Sequence, residues 1–382
     1  MDGTIAARHE AMLRGLERKN RLRNLAPRAG FDFASNDYLG LANCERLKQA
    51  VSKAIANGTP VGAAGSRLLR GNAAEHESLE AQAAAFFGSE RALYFGGGYI
   101  ANFAVLTTLP QKGDLLILDA LAHASMFEGA EAGRAAFVIA AHNDVGAFEQ
   151  AIMNWRKFGG TGRVWIAIES LYSMDGDFAP LADLVAMADR HDAFLYVDEA
   201  HATGIHGPDG KGLSAAFEGR ENILALHTCG KALGASGALV TLSKTLSDYL
   251  INRARPFIYA TAPSPLLAVA VSEALNIVRG EPERRQRLKS LIAFAGRELT
   301  ARSNDLSPSG SQIMPVIIGD NGRTMNIANN LQARGFDVRG IRPPTVPEGT
   351  ARLRISLTLN VDEATISAML DAVADEMRRP YP

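Results

Sequence analysis

Two cysteines in 382 residues, Cys44 and Cys229, are too few for a disulfide framework, so the sequence reads as a protein of a reducing compartment whose thiols are core residues. A surplus of either charge is also missing: 40 Lys and Arg face 41 Asp and Glu, a formal net charge of -1. Without basic excess there is no general field to hold a polyphosphate backbone, which excludes a nucleic-acid scaffold. No apolar run reaches the roughly 18 residues that a membrane-spanning helix needs. The N-terminus carries His9, Glu10, Arg14, Glu17, Arg18 and Lys19, more charge than a secretory signal tolerates. The expectation is a soluble cytoplasmic protein, long enough for two domains or one large one.

Two chemical devices are absent as well. Asp198-Glu199-Ala200-His201 has the form of the acidic box of a helicase-type nucleotidase, but that machinery needs a G-x-x-x-x-G-K-[ST] loop. Here Gly230-Lys231 is followed by Ala232, and Ala225 stands where the first glycine belongs. No further His, Cys or carboxylate cluster accompanies Asp198 and His201 at ligand spacing, so no metal site is expected.

Glycine is what the chain has in excess: 36 residues, about 9%, against roughly 7% in average proteins. The glycines gather in the loop from Gly58 to Asn72, with Gly62 and Gly65 before Arg67. They recur at Gly96 to Gly98, and at Gly230 and Gly234 around Lys231. Such positions let a backbone turn sharply or approach a ligand.

Residues 4 to 25 read as a charged amphipathic helix, an arm for a body or a partner, with Ile5, Met12, Leu16 and Leu22 near helical spacing. Helices are expected from about Glu45 to Asn57 and from Glu75 to Phe87. Then short apolar runs alternate with helical stretches: Ala92 to Phe95, Leu115 to Leu118, Phe137 to Ala140, Val164 to Ile168, Phe194 to Val197, Ile223 to His227 and Ala238 to Val240. Runs apolar on both faces suit a mostly parallel sheet covered by helices on both sides, an α/β fold. After a proline-punctuated segment, 256 to 265, a helix from Leu266 to Arg279 leads to a smaller α+β unit. That unit has a strand at Ile313 to Ile318, a helix at Arg323 to Arg334, strands around Val338 and at Arg352 to Leu357, and a helix from Val361 to Met377. The expected division is an N-terminal arm, 1 to 40, a large domain, 41 to 265, and a small domain, 266 to 382.

In open α/β sheets ligands bind at the carboxyl ends of the strands, and polar residues concentrate there. One run ends in Asp119 with His123 beyond, another in Glu169 with Ser173, a third in Asp198 with His201, a fourth in Thr228 with Lys231. Gly96-Gly97-Gly98-Tyr99-Ile100-Ala101 fits G-x-G-x-x-A, with Asp119 near the distance of a ribose-binding carboxylate. An NAD-dependent dehydrogenase gives no role to Lys231 or Asp198, and stands as the alternative. Pyridoxal 5'-phosphate (PLP) chemistry uses the whole set: a lysine for the Schiff base, a carboxylate to keep the ring nitrogen protonated, and a glycine-rich helix start for the phosphate. Lys231, Asp198 and the amides of Gly98 and Tyr99 fill those roles. On that reading His123 would stack on the ring, and His201 with Ser173 would lie near its phenolic oxygen.

These residues carry a family resemblance. Ser35-Asn36-Asp37-Tyr38-Leu39-Gly40, His123 with Ser125, Glu169 with Ser173-Met174-Asp175-Gly176, Asp198 to Gly204 and Thr228-Cys229-Gly230-Lys231-Ala232 resemble the α-oxoamine synthases, PLP enzymes of fold type I, over nearly the whole chain. His142-Asn143-Asp144, Ile341 to Pro347 and Ala351-Arg352-Leu353-Arg354 resemble the branch that serves biotin synthesis. The resemblance implies decarboxylative condensation of L-alanine with a pimeloyl thioester of CoA or an acyl carrier protein; a relative of glycine C-acetyltransferase type is the nearest alternative. By family position Lys231 is the catalytic lysine, and His123, Asp198 and His201 are catalytic with it. Thr228 touches the phosphate, Asn36 the substrate, and Arg354 the amino-acid carboxylate, with Arg352 on the same strand face as the rival. The resemblance further implies a homodimer in which Thr261, within Tyr259-Ala260-Thr261, reaches the partner's phosphate, and a thioester contact by Arg21. Gly97 departs from relatives that have a hydroxyl residue there, which shifts phosphate binding toward backbone amides.

Overall fold

The computed structural model describes residues 5–302 and 308–380. Along the chain run α1 (Ala7–Arg18), β1 (Phe31–Asp32), α2 (Glu45–Ala56), α3 (Ala74–Phe87), β2 (Arg91–Phe95), α4 (Gly98–Thr108), β3 (Leu115–Asp119), α5 (Ala124–Ala132), β4 (Ala136–Ala140), α6 (Val145–Lys157), β5 (Val164–Glu169), α7 (Leu181–Arg190), β6 (Phe194–Asp198), β7 (Ile223–Thr228) and β8 (Ala238–Leu242). There follow α8 (Lys244–Arg253), α9 (Arg255–Ile258), α10 (Pro265–Gly280), α11 (Pro282–Arg302), β9 (Ile313–Gly319), α12 (Asn321–Ala333), β10 (Phe336–Asp337), β11 (Arg339–Ile341), β12 (Ala351–Ser356) and α13 (Glu363–Arg378). Among the described residues no helix is long and apolar enough to cross a membrane.

Packing divides the chain into two units. The larger holds Leu39–Ser173 and Phe178–Arg285; the smaller holds Met1–Tyr38, Met174–Asp177 and Gln286–Pro382. The division therefore falls inside α11 rather than at residue 266. The apolar side of α10, including Ala268, Val271, Ala274 and Leu275, is buried, and α10 packs on α2 and α3 of the larger unit.

The larger unit is built on a seven-stranded sheet in the order β2-β8-β7-β6-β5-β3-β4. β3 pairs in parallel with β4 and β5, β5 with β6, and β6 with β7; β8 is antiparallel to both β7 and β2. Because side chains alternate across a strand, the central apolar runs of β3, β5, β6 and β7 feed two cores, whereas the edge strand β4 leaves Val138 and Ile139 exposed. Leu116, Leu118, Trp165, Ala167, Tyr196, Leu224 and Leu226 pack with Val105 and Leu106 of α4, Met126 of α5 and Phe257 of α9. Leu115, Ile117, Ile166, Ile168, Leu195 and Val197 pack with Phe148 and Ile152 of α6 and Leu184 and Met187 of α7. Two buried faces explain why these strands show runs rather than alternation.

In the smaller unit β11-β12-β9 form an antiparallel sheet with the fully buried β12 at its centre, and β1 pairs in parallel with β10. Val338 separates β10 from β11, where one strand was expected. The long helix α11, absent from the sequence expectations, buries Leu288, Leu291, Ala295 and Leu299, a 3-4-4 spacing obscured by its many charges. α1 ends at Arg18 rather than continuing to residue 25, because Asn20 turns to a φ of 53°; its expected start at residue 4 lies outside the described residues. None of its residues is buried, so the chain itself does not cover this arm.

Candidate active site

The larger unit brings the strand-end residues to one sheet edge, and the side-chain alternation sorts them by face. Tyr196 belongs to the core on the α4 side, so Asp198, two residues on, shares that face. Glu169 pairs in register with Asp198, and Thr228 follows Leu224 and Leu226 on the same side. Asp119 takes the other face with Leu115 and Ile117. There its Oδ1 is 2.7 Å from His142 Nδ1 and accepts the Leu121 N–H, and Oδ2 accepts the Asn143 N–H. Burial opposes the charge of Asp119, but these bonds hold its carboxyl below the usual range. Asp119 thus ties the loop leading to His123 to the loop after β4, which removes it from the ribose role of the dehydrogenase alternative.

Asp198 is buried, 4% exposed. Its Oδ1 accepts the Ala200 N–H at 2.8 Å and its Oδ2 accepts Asn102 Nδ2–H at 2.8 Å. Both oxygens are fixed, so the carboxylate is aimed before any ligand arrives. Beside it, burial and then the Asp198 charge push the Glu169 carboxyl well above the usual range. Glu169 Oε2 accepts the Ser173 N–H at 3.2 Å, while Oε1 is buried without a partner. The loop after β7 carries Lys231, whose Nζ lies 2.8 Å from Nε2 of the buried His201. That loop is tightened by the Gly234 N–H donating to Lys231 O. Gly234 has φ of +63°, and a Cβ there would collide with the backbone of Leu41 and Ala42, so only glycine fits.

His123 caps the N-terminus of α5 and keeps an exposed flank. Its Nδ1 edge turns inward to Ser125, and burial of the ring lowers its pKa, with Asp198 raising and Lys231 lowering it further. α4 begins at Gly98 with no side chain capping its first turn. A Cβ on Gly98 would sit 3.6 Å from Thr228 Oγ1, so the bare glycine leaves a concave site between open helix amides and a hydroxyl. An anion is the group that such a helix start favours. Tyr99 is 45% exposed, with its hydroxyl against Glu128. Thr261 is exposed and forms an antiparallel bridge with Ser66. An anion cradle, a fixed buried carboxylate, and an amine held by an imidazole fit a phosphorylated pyridine aldehyde in kind and number.

In the smaller unit the two arginines of β12 separate. Arg352 is paired with Asp175 and donates to Thr350 O at 3.0 Å and Met174 O at 3.4 Å. Arg354 donates to the neutral oxygens Ser356 Oγ at 2.8 Å, Asn36 Oδ1 at 3.1 Å and the Tyr38 hydroxyl at 3.4 Å. Arg21 makes two 2.6 Å bonds to the carboxylate of Glu348.

Asn102 was not among the residues expected at the site. Its signal was present: it is the one amide in α4, whose other buried positions are small or apolar apart from Thr108.

Residues 28–373 match the family model described as aminotransferase class I and II. A Chromobacterium violaceum protein named 8-amino-7-oxononanoate synthase is 41% identical over 355 residues, covering 92% of this chain and 90% of its own. Among solved structures, a serine palmitoyltransferase from S. paucimobilis with bound PLP-myriocin aldimine has a TM-score of 0.88 at 25% identity, covering 98% of each chain. An 8-amino-7-oxononanoate synthase from Francisella tularensis has a TM-score of 0.77 at 27% identity, covering 91% of this chain and 98% of the other.

Proposed function

Because this chain belongs to the aminotransferase class I and II family, on the branch of the α-oxoamine synthases, we propose that it condenses L-alanine with a pimeloyl thioester. The products are 8-amino-7-oxononanoate, CO2 and the free carrier thiol, a step of biotin synthesis. The observation that carries this reading is Lys231 Nζ at 2.8 Å from His201 Nε2, on the strand-end loop next to the strand that presents Asp198.

PLP, when bound, supplies the electron sink that lets the α-carbon of an amino acid carry a negative charge. Lys231 would hold the cofactor covalently and Asp198 its ring nitrogen. The amides of Gly98 and Tyr99 with Thr228 would hold its phosphate, and His123, His201 and Ser173 would flank its ring. Lys231 Nζ takes the α-proton of alanine, held in place by His201. The α-carbon then bonds to the thioester carbonyl carbon, the C–S bond breaks, and the thiolate leaves and takes a proton from solvent. The original carboxylate departs as CO2, and the α-carbon regains a proton from Lys231. Arg354 is assigned the alanine carboxylate, with Asn36 beside it, because Arg352 is committed to Asp175. Arg21 enters this reading only if Glu348 releases it.

A homodimer and a cytoplasmic location complete the proposal. Val61, Leu69 and Tyr259 are 73%, 85% and 74% exposed, on the glycine-rich loop and beside Thr261, and exposed apolar side chains at these places support the dimer reading. The test is thiol release from pimeloyl-CoA and from pimeloyl carrier protein with alanine, glycine or serine, together with CO2 measurement. Alanine-dependent release of thiol and CO2 in equal amounts is expected, abolished in Lys231→Ala. A fully active Lys231→Ala enzyme overturns the assignment.

A further inference from the structure

Three side chains outside the assigned set, Asn102, Tyr196 and Ser125, form one hydrogen-bonded chain with Asp198 and His123 beneath the site. Asn102 is 1% exposed, Tyr196 1% and Ser125 0%. Asn102 lies four residues beyond Gly98, so the helix that presents its N-terminus to the proposed phosphate site also presents this amide one turn later on the same face. Asn102 Nδ2 is 2.8 Å from Asp198 Oδ2 and 3.0 Å from Ser125 Oγ; the Tyr196 hydroxyl is 2.8 Å from Asn102 Oδ1. Ser125 Oγ is 2.7 Å from His123 Nδ1, and the Ser125 backbone N–H donates to the same Nδ1 at 3.2 Å.

The direction of every bond in this chain follows from one end. A carboxylate can only accept, so the Asn102 NH2 group must face Asp198 and its carbonyl must face Tyr196. The second NH2 hydrogen then goes to Ser125 Oγ. With its oxygen occupied as an acceptor, the serine hydroxyl has its own hydrogen to give, and His123 Nδ1 is in reach. The backbone N–H of Ser125 demands the same thing independently: an Nδ1 that accepts. Only a ring with its hydrogen on Nε2 satisfies both. Asn102 therefore connects the group proposed to face the ring nitrogen with the group proposed to lie on the ring face.

We infer that Asn102 is a positioning residue: with its two amide hydrogens it aims the Asp198 carboxylate and, through Ser125, holds His123 in the neutral Nε2–H tautomer. The consequence is electrostatic. A protonated pyridine nitrogen carries positive charge, and a stacked imidazolium would oppose it, whereas a neutral ring does not. The lowering of the His123 pKa by burial acts in the same sense.

This inference rests on the PLP reading only for its link to the cofactor; the tautomer is a property of the chain itself. In purified protein labelled with 15N-histidine, NMR is expected to show His123 with Nδ1 unprotonated and Nε2 protonated at neutral pH, with PLP bound or removed. Ser125→Ala, which removes the hydroxyl arm but keeps the backbone N–H, is expected to retain an unprotonated Nδ1 with a shifted 15N resonance from the lost hydroxyl donor, and PLP affinity within about threefold of wild type. Asn102→Leu loses a hydrogen bond to a charged group, so PLP affinity falls about tenfold or more and the pH midpoint of the bound cofactor's visible absorbance shifts. His123 protonated on Nδ1 in the wild type, or an Asn102→Leu protein with wild-type affinity and pH midpoint, overturns the inference. If Asn102→Leu does not fold, the wild-type and Ser125→Ala spectra decide. Failure of the wild type to bind PLP would sink the functional reading, while the tautomer measurement on the same sample still decides this one.

Discussion

Arg352 and Arg354 stand two residues apart on the same face of β12, so a sequence alone gives both a claim on the substrate carboxylate. Their surroundings separate them, and a pair of conservative substitutions converts that separation into numbers. Arg354→Lys keeps the charge but removes the planar fork that grips a carboxylate with two parallel bonds. One charge-assisted hydrogen bond is worth about 1.5 to 3 kcal/mol, so the KM for alanine is expected to rise about tenfold to about 150-fold, at 1.36 kcal/mol per decade. The bonds from Arg354 to Ser356, Asn36 and Tyr38, at 2.8, 3.1 and 3.4 Å, are also weakened. With the lysine ammonium retaining one of the three, the two neutral-acceptor bonds lost at about 1 kcal/mol each give a stability loss of about 2 kcal/mol, visible as a drop of several degrees in Tm. Arg352→Lys still reaches a carboxylate, because Asp175 needs a charge and not a fork, and KM for alanine is expected to stay within about threefold. Steady-state kinetics with alanine varied at saturating pimeloyl-CoA, beside thermal melts of both variants, make the comparison. A KM increase for Arg352→Lys equal to or larger than that for Arg354→Lys would refute the reasoning, since it would place the carboxylate on the arginine that Asp175 already holds.

Glu169 has a folded-state pKa raised by burial and by Asp198, so the folded protein holds this proton to higher pH than the unfolded chain does. The stability it contributes is full below the unfolded value of about 4.3 and is lost as pH rises through the folded value. Glu169→Gln, which mimics the protonated acid, should flatten the decline of Tm as pH rises above the unfolded carboxyl value of about 4.3; identical slopes for the two proteins would refute this. Cys229 is fully buried, and burial pushes its thiol pKa well up, which suppresses the reactive thiolate. Of the two cysteines, Cys229 should escape a thiol reagent in native protein and both should react in guanidinium; rapid native labelling of Cys229, located by mass spectrometry, would contradict its placement.

The sequence by itself determined the kind of sheet and the place of the chemistry. Strands such as Leu115–Asp119 and Val164–Glu169 are apolar on both faces, and that property needs only a short window of residues to be legible. The same window shows a polar residue at each strand end, a lysine between glycines, and a bare Gly98 opening a helix. Tertiary structure decided which of these residues act together. Asp119 and Asp198 look equivalent at the ends of their runs, yet pleat and register send them to opposite faces, one to His142 and the other to Asn102. Asn102 and Asp198 are 96 residues apart in sequence, and no local periodicity reports a pairing of that span. The same holds for Arg352 and Asp175, 177 residues apart, which distinguishes two arginines that share a strand face. Local sequence sets which groups are available because propensity and periodicity act over a few residues. Closure of the fold chooses partners, because burying a polar group demands a hydrogen bond from whichever distant segment packs against it.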